Sequence, residues 1–564
     1  MRRIFYMKFD LVFKNVNYLD VKLRRFIIGD VAVSGGKIAE IGRGLSGNVC
    51  KDCADRFLVP GFIDGHIHLE SCVISPRDFA KIAAVHGTSA VITDPHEIAN
   101  VCGTDGIKWM MRQTENLPID VYFMISSCVP ATPFDESAYT LDSKSVEECF
   151  RLNESGRILG LAEVMNYPGV INRDPEILAK IESAKSRGLR VDGHAPSLTG
   201  DDLVKYIAAG IESDHECSTF AEAAEKIDVA KSLGHEFYIM IREGTAAKNL
   251  TALCGLIGND MYKDYVMFAT DDKHPEELYH EGHIDSIVRK AIALGAVPED
   301  VYVTASYNAA KYFGLSNIGS IEIGKNADLV LLSDKEKCTI DEVYKNGEVM
   351  SAEKISRRYN GNADCDLDKT VRNCVNMREV TAADFECKGI KKKVIGLVAG
   401  EIITVDAGET ADYDLADDII KIAVIESHKG TMHTGIAYLK GLGLKEGALG
   451  TTVAHDSHYA IIAGTNDSDI ALAANEIRNM KGGKVVVRNG EVLASLPLPI
   501  ANLMTDEPYM SVIEKMKRLK TAVNISSKNI DPFMNLSFVS LAAIGNVRLL
   551  PRGVVDVAKW NFVE

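Results

Sequence analysis

GFIDGHIHLE, residues 61–70, places two histidines, His66 and His68, one residue apart at the end of an apolar run that begins at Phe57. Side chains on a strand alternate faces, so a His-x-His pair turns both imidazoles the same way and lets them grip one metal ion. The run FLVPGFID ahead of the pair supplies that strand. Taken alone the pair is weak, since two solvated histidines on a surface strand read the same. Its weight comes from the residues downstream.

There, apolar strand-like runs recur, and each ends on a polar or reactive residue: Asp94 in SAVITD, Cys128 in VYFMISSC, Glu163 in ILGLAEV, His194 in RVDGH, His215 in GIESDH, Arg242 and Glu243 in EFYIMIRE, and Asp271 in YVMFATDD. With the first run these make eight strands. Helical segments such as PRDFAKIAAVHG, DPEILAKIESAKSRG and FAEAAEKIDVAKSLG lie between them, with Asp, Ser or Pro near the opening and Gly at the close. Eight strand-then-helix units over residues 57–315 match the size and beat of a TIM (β/α)8 barrel, whose reactive groups sit at the C-terminal ends of the strands.

Before the barrel, residues 1–56 alternate apolar and polar positions around a Gly-Gly turn, and the same rhythm returns in SIEIGKNADLVLLSD and IDEVYKNGEVMSAE. Residues 1–56 plus 316–385 are therefore expected to form a small, discontinuous β-sandwich domain with the barrel inserted in it. The polar stretch from 354 to 390 reads as a connector. Beyond it, strand patterns in KKVIGLVAGEIITVD, KIAVIES and GKVVVRNGEVLA, with helices at DSDIALAANEIRNM and EPYMSVIEKMKRLKTAV, predict a separate α+β domain over 391–564. The fold class is α/β: a TIM (β/α)8 barrel with a small split β-sandwich domain and an additional C-terminal α+β domain.

Composition narrows the class of partner. A chain of 564 residues is too long for one core and indicates two or three domains. Lys plus Arg number 63 against 79 for Asp plus Glu, a net charge of -16, and no basic block is long enough to track a phosphate backbone. Nucleic acid and anionic membrane are accordingly not expected as partners. The 12 cysteines are scattered, with Cys50 and Cys53 a close pair that no second pair completes into a zinc site. Reduced thiols in the cytosol fit that pattern. The N-terminal MRRIFYMKFD lacks the apolar run of a signal peptide, so a cytoplasmic location is expected. The default assembly is a homo-oligomer, a dimer or larger.

The barrel mouth is expected to collect His66 and His68 from the first strand, Glu163 from the fourth, His194 from the fifth, His215 from the sixth and Asp271 from the eighth. Each alone has an ordinary explanation as a cap or a solvated strand end. Together they are costly to bury unless a cation neutralises them. Four imidazoles and two carboxylates exceed the needs of one tetrahedral ion and suit two adjacent divalent cations bridged by Glu163. Mixed nitrogen and oxygen donors fit Mn(II) or Fe(II), with Zn(II) also compatible.

GHIHLES, TDPHEIANV, CVPATPFD, LAEVMNYPGV, DGHAP, SDHE, REGTAAKNL, FATDDKHP and VAHDSHYAIIAGTND resemble the adenine deaminases of the amidohydrolase superfamily, bacterial and archaeal type, over nearly the whole chain. The resemblance implies the barrel with its small β sandwich, metal ligands at His66, His68, Glu163, His194, His215 and Asp271, and the conversion of adenine and water to hypoxanthine and ammonia. In that reaction a hydroxide attacks C6 of the purine, Asp271 takes its proton and passes it to the departing ammonia, and Glu97 or Glu163 protonates N1. Two departures stand out: SYNAAKYFGL lacks a proline after its Asn, and Asp271 is followed by a second carboxylate, Asp272. His96, Arg242, Glu243 and Lys248, and His455, Asp456 and His458 of the AHDSH motif, are candidates for the pocket or equally for caps and turns. Hydantoinases and dihydroorotases, the nearest rival readings, place a carboxylated lysine where this chain has Glu163. A barrel that had become an inactive scaffold should have lost some of the six ligands.

Overall fold

Alternating apolar residues from Phe9 onward build the first sheet. The computed structural model describes residues 8–245, 247–359, 365–387, 389–398, 403–525 and 531–563. Its first five strands are β1 (Phe9–Asp20), β2 (Arg25–Ser34), β3 (Lys37–Gly42), β4 (Gly47–Asp52) and β5 (Phe57–Pro60). β5 is the front half of FLVPGFID, which is two strands and not one. The chain breaks at Gly61, whose N–H donates to Asp328 O at 2.8 Å. A Cβ there would lie 2.5 Å from Ser89 Cβ, so only glycine lets the backbone pass. The boundary expected at residue 57 therefore moves: β5 pairs with β1 in the first sheet, and the strand carrying the histidines starts at Phe62.

From there eight strands alternate with helices: β6 (Phe62–Ile67), β7 (Thr88–Thr93), β8 (Asp120–Ile125), β9 (Ile158–Val164), β10 (Arg190–Gly193), β11 (Ser213–Asp214), β12 (Tyr238–Arg242) and β13 (Val266–Ala269). β6 to β10 form one parallel sheet in chain order, and β11 to β13 another. Several of these strands, β7 and β13 among them, are buried along their whole length, as parallel strands covered on both faces are. The intervening helices start and stop where their sequences say. Ser75, Asp174 and Thr219 accept the orphan N–H groups at three N-termini, and Gly188, Gly210 and Gly234 take left-handed conformations just past three helix ends.

The chain then returns to the first sheet through β14 (Leu329–Asp334), β15 (Thr339–Lys345) and β16 (Glu348–Val349). β14 pairs antiparallel with β5, Leu329 opposite Pro60, so the two sequence segments join as a single hydrogen-bonded sheet of eight strands. A sandwich of two sheets was the expectation. The difference arises because β5 lies between β1 and β14 and stitches the halves edge to edge.

The C-terminal region holds a second eight-stranded sheet, made of β17 (Lys392–Leu397), β18 (Thr404–Thr410), β19 (Ile419–Ile425), β20 (Thr434–Lys440), β21 (Ala448–Thr451), β22 (Ala460–Gly464), β23 (Gly483–Arg488) and β24 (Glu491–Pro497). β25 (Val547–Leu550), β26 (Gly553–Asp556) and β27 (Asn561–Phe562) form a small three-stranded sheet. The helix Asp467–Met480 lies on the eight-stranded sheet, and the connector joins that core through Met377, Val380 and Phe385. This region is not separate from the parallel strands. Thr505 N–H donates to Val73 O at 3.0 Å, Glu136 N–H to the Tyr459 hydroxyl at 2.6 Å, and Arg552 to Phe134 O at 2.8 Å. Among the described residues no helix is long and apolar enough to cross a membrane.

Candidate metal centre

Six side chains from five strand ends meet at one point. Glu163, buried within β9, is the hub. Its Oε1 lies 3.5 Å from His68 Nε2 and 3.9 Å from His66 Nε2, while its Oε2 lies 2.8 Å from His194 Nδ1 and 3.1 Å from His215 Nε2. Asp271 closes the first half of the ring, with Oδ1 3.1 Å from His68 Nε2 and 3.8 Å from His66 Nε2. Asp271 leaves β13 in the left-handed region, φ 59°, which aspartate tolerates better than most residues. Its backbone also holds the histidine strand: Asp271 N–H donates to His66 O at 2.9 Å, and His68 N–H to Asp271 O at 3.2 Å. A carboxylate with one oxygen toward each histidine pair has the geometry of a bridging ligand.

The donor set fits divalent cations. His66 Nε2 is buried without a hydrogen-bond partner and is aimed at two carboxylate oxygens 3.8 and 3.9 Å away. Metal–ligand bonds of about 2.0–2.2 Å put two ligands of one ion about 3–4 Å apart, so this spacing suits a shared ion better than a hydrogen bond. Burial, with His215 and His68 nearby, pushes the His66 imidazole well below its ordinary value and keeps it a neutral lone-pair donor. Burial opposes ionisation of Glu163, but His194 and His215 outweigh it and hold that carboxyl well below the usual range. At Asp271 the same contest between burial and the Arg242 guanidinium ends the same way. His68 and His194 are drawn up against burial by neighbouring carboxylates, His194 to about 9 with Glu216 the main cause. A cation must displace a proton from these two rings, so metal affinity falls as pH drops.

The ring opens on a cavity of about 70 Å³. From the parallel strands come His68, Glu163, His194, His215 and Asp271, joined by His96, Glu216 and Arg242; from the C-terminal region come His455, Asp456 and Phe538. Larger clefts of about 660 and 820 Å³ lie elsewhere, but neither gathers a cluster of imidazoles, and the chemistry of the lining decides between them. His96 Nδ1 sits 3.0 Å from Asp94 Oδ2 and 3.3 Å from Glu163 Oε1. Arg242 bridges Asp271 Oδ2 and Glu216 Oε1, each at 2.5 Å.

Glu97 stands outside the cavity lining: its Oε1 takes a hydrogen bond from His455 Nδ1 at 2.7 Å, and burial notwithstanding, that histidine holds it as a carboxylate. Asp272 turns toward the Ser71 hydroxyl and groups with Glu97 and His455, so Asp271, not Asp272, meets the histidine pair. Glu243 pairs with Lys290 at 3.2 Å and bridges through its backbone to Lys248, and neither Glu243 nor Lys248 lines the cavity.

Residues 57–350 match the profile of the Amidohydrolase family, and residues 399–561 match the Adenine deaminase C-terminal domain. The adenine deaminase of Desulfatibacillum aliphaticivorans is 40% identical over 570 residues, covering 98% of this chain and 97% of that protein. The adenine deaminase of Clostridium acetobutylicum is 40% identical over 569 residues, with the same coverage of 98% and 97%. The chain belongs to the adenine deaminase family.

In this member of the adenine deaminase family the sequence reading passed over Glu216, which lies 3.6 Å from His194 Nδ1 and 3.5 Å from His215 Nε2. The signal was present in SDHE, where it directly follows His215. Behind the same strand ends sits a buried ion pair, Lys226 Nζ to Asp214 Oδ2 at 2.5 Å. Lys226 also donates to Ala195 O at 2.7 Å, and Asp214 Oδ1 accepts from Glu216 N–H at 2.8 Å, so the pair ties together the loops bearing His194, His215 and Glu216. Burial alone would raise the Asp214 carboxyl, but Lys226 lowers it to about 2. Removing one partner strands the other charge in the interior. Lys226→Met is expected to destabilise the fold by about 3–5 kcal/mol in denaturant titration. A loss under about 1 kcal/mol would show that Asp214 finds another partner.

Proposed function

We propose that β6 to β13 close into one (β/α)8 barrel running from Phe62 to about residue 315, flanked by a small β domain of residues 1–56 and 316–385 that also takes in β5, and by a C-terminal α+β domain of residues 391–564. Two features support closure. Ile63, Ala90, Ile92, Met124, Ala162, Met240 and Met267, from six different strands, share one buried apolar cluster, as barrel interiors do. The backbone exchange between Asp271 and the histidine strand joins the eighth strand to the first, and Glu212 N–H to Val191 O at 2.9 Å links the two parallel sheets on the other side.

The function of this site is the hydrolytic deamination of adenine to hypoxanthine and ammonia. The observation that carries it is Glu163, whose two oxygens divide two histidine pairs between them. His66, His68 and Asp271 with Glu163 Oε1 would hold one cation, and His194 and His215 with Glu163 Oε2 the other; Mn(II) or Fe(II) suits these donors best, and Zn(II) is compatible. A bound pair of divalent cations supplies the Lewis acidity that makes water nucleophilic near neutral pH. Asp271 takes the proton released as water adds to C6 and returns it to the leaving amine, a general base and then a general acid. Arg242 orients that carboxylate through Oδ2, leaving Oδ1 to face the ring. Of the two carboxyls considered for the proton to N1, Glu163 lines the cavity and Glu97 does not; since Glu163 is held as a carboxylate, it could only relay to N1 a proton first taken from the attacking water. The substrate is a small molecule, the assembly a homo-oligomer and the location cytoplasmic, in keeping with twelve free thiols.

Ammonia release tests this. Chelator-treated protein is expected to be inactive on adenine and to recover about 10³-fold or more with two equivalents of Mn(II) or Fe(II) per chain. Adenosine, cytosine and dihydropyrimidines should give no comparable rate. Undiminished turnover after metal removal, or hydrolysis of dihydropyrimidines in preference to adenine, would sink the reading.

A further inference from the structure

Asp456 reaches the cavity from the C-terminal domain and is held in place from both sides. His455 before it donates its backbone N–H to Ser537 O at 2.9 Å, stacks on the Phe538 ring at 4.5 Å between centroids, and is anchored by Glu97. Ser457 after it donates to Asp135 Oδ1 at 3.1 Å. Asp456 itself is 5% exposed, with Oδ1 3.8 Å from His96 Nε2 and Oδ2 buried without a hydrogen-bond partner. Burying a carboxylate oxygen without a donor is costly, so a rigid one facing a substrate cavity reads as an acceptor awaiting a ligand N–H.

The proposed reaction fixes which N–H that is. C6, N1 and the exocyclic amine face the metal ligands, which leaves the imidazole ring of the purine toward the C-terminal side. The one hydrogen-bond donor there is the N–H carried at N9 or N7 of the free base, and a nucleoside lacks it. Phe538, Leu541 and Ile544 supply apolar surface for the flat ring beside that donor.

We infer that Asp456 accepts the imidazole N–H of the free purine, so that the C-terminal domain selects the base over its N9-substituted forms. This rests on the adenine deaminase reading and deepens it. A site built around a donor rejects an analogue without it by about 10⁴-fold, because the buried acceptor is left unmatched.

The experiment compares kcat/KM for adenine and 9-methyladenine in the manganese-loaded wild type, Asp456→Ala and the isosteric Asp456→Asn, with metal content measured for each. Asp456→Ala is expected to lose about 10²–10³-fold on adenine, mostly in KM, and less than about tenfold on 9-methyladenine. Asp456→Asn keeps the shape and a neutral acceptor, and should lose about tenfold on adenine alone; it carries the test if the alanine variant does not fold. Equal losses on both substrates would mean a structural role, and a gain on 9-methyladenine with adenine unchanged would mean mere crowding; either overturns the inference. A wild type that releases no ammonia from adenine would instead defeat the reading on which it rests.

Discussion

Replacing Glu163 with glutamine is expected to lower kcat/KM for adenine by about 10⁴-fold or more, a loss of about 5.5 kcal/mol of transition-state stabilisation. The substitution keeps shape and volume, so packing around β9 should survive. It removes the negative charge that both halves of the ring share, since Oε1 faces His66 and His68 and Oε2 faces His194 and His215. An amide offers one oxygen to two ions and turns its nitrogen, a donor, toward the other pair of imidazoles. Metal analysis should therefore fall from about two equivalents per chain to one or fewer, in step with activity. Full occupancy of both positions with activity within tenfold of wild type would show that Glu163 bridges nothing.

The six ring residues were legible because strand geometry is local. The period of two put His66 and His68 on one side, and a strand end followed by a loop is where a parallel β/α unit presents polar groups. The misreadings have equally local causes. FLVPGFI, residues 57–63, carries no charged or hydrogen-bonding side chain, so hydrophobic pattern alone joins β5 to β6, and the break needs the contact between Gly61 and Ser89 that sequence does not display. Glu97 and its neighbour His96 both open the helix His96–Gln113, where successive side chains point about 100° apart. His96 faces Glu163, and Glu97 faces the C-terminal domain. Asp456 illustrates the opposite limit. The AHDSH motif marks it as a pocket candidate but equally as part of a turn, because its place depends on how Ser457 and Tyr459 meet the loop around Asp135 and Glu136, more than three hundred residues earlier in the chain.

Asp271→Asn separates chemistry from architecture, and its expected result is a fall in kcat of about 10³-fold with KM changed less than about tenfold. Asparagine preserves the left-handed turn at φ 59° and still offers an oxygen to Arg242, so the ring and its backbone ties to His66 and His68 should persist. What disappears is a carboxylate able to take a proton from water and hand it to the amine. The neighbouring groups cannot substitute. Arg242 only donates, Glu216 is held by the same guanidinium, and Asp272, which also lines the cavity, has Oδ1 engaged by the Ser71 hydroxyl. A drop in kcat at constant metal content assigns the loss to a step made in the transition state and not to binding. If the variant keeps both cations and turns over adenine at near the wild-type rate, the proton passes through another group and Asp271 serves the ring as a ligand alone.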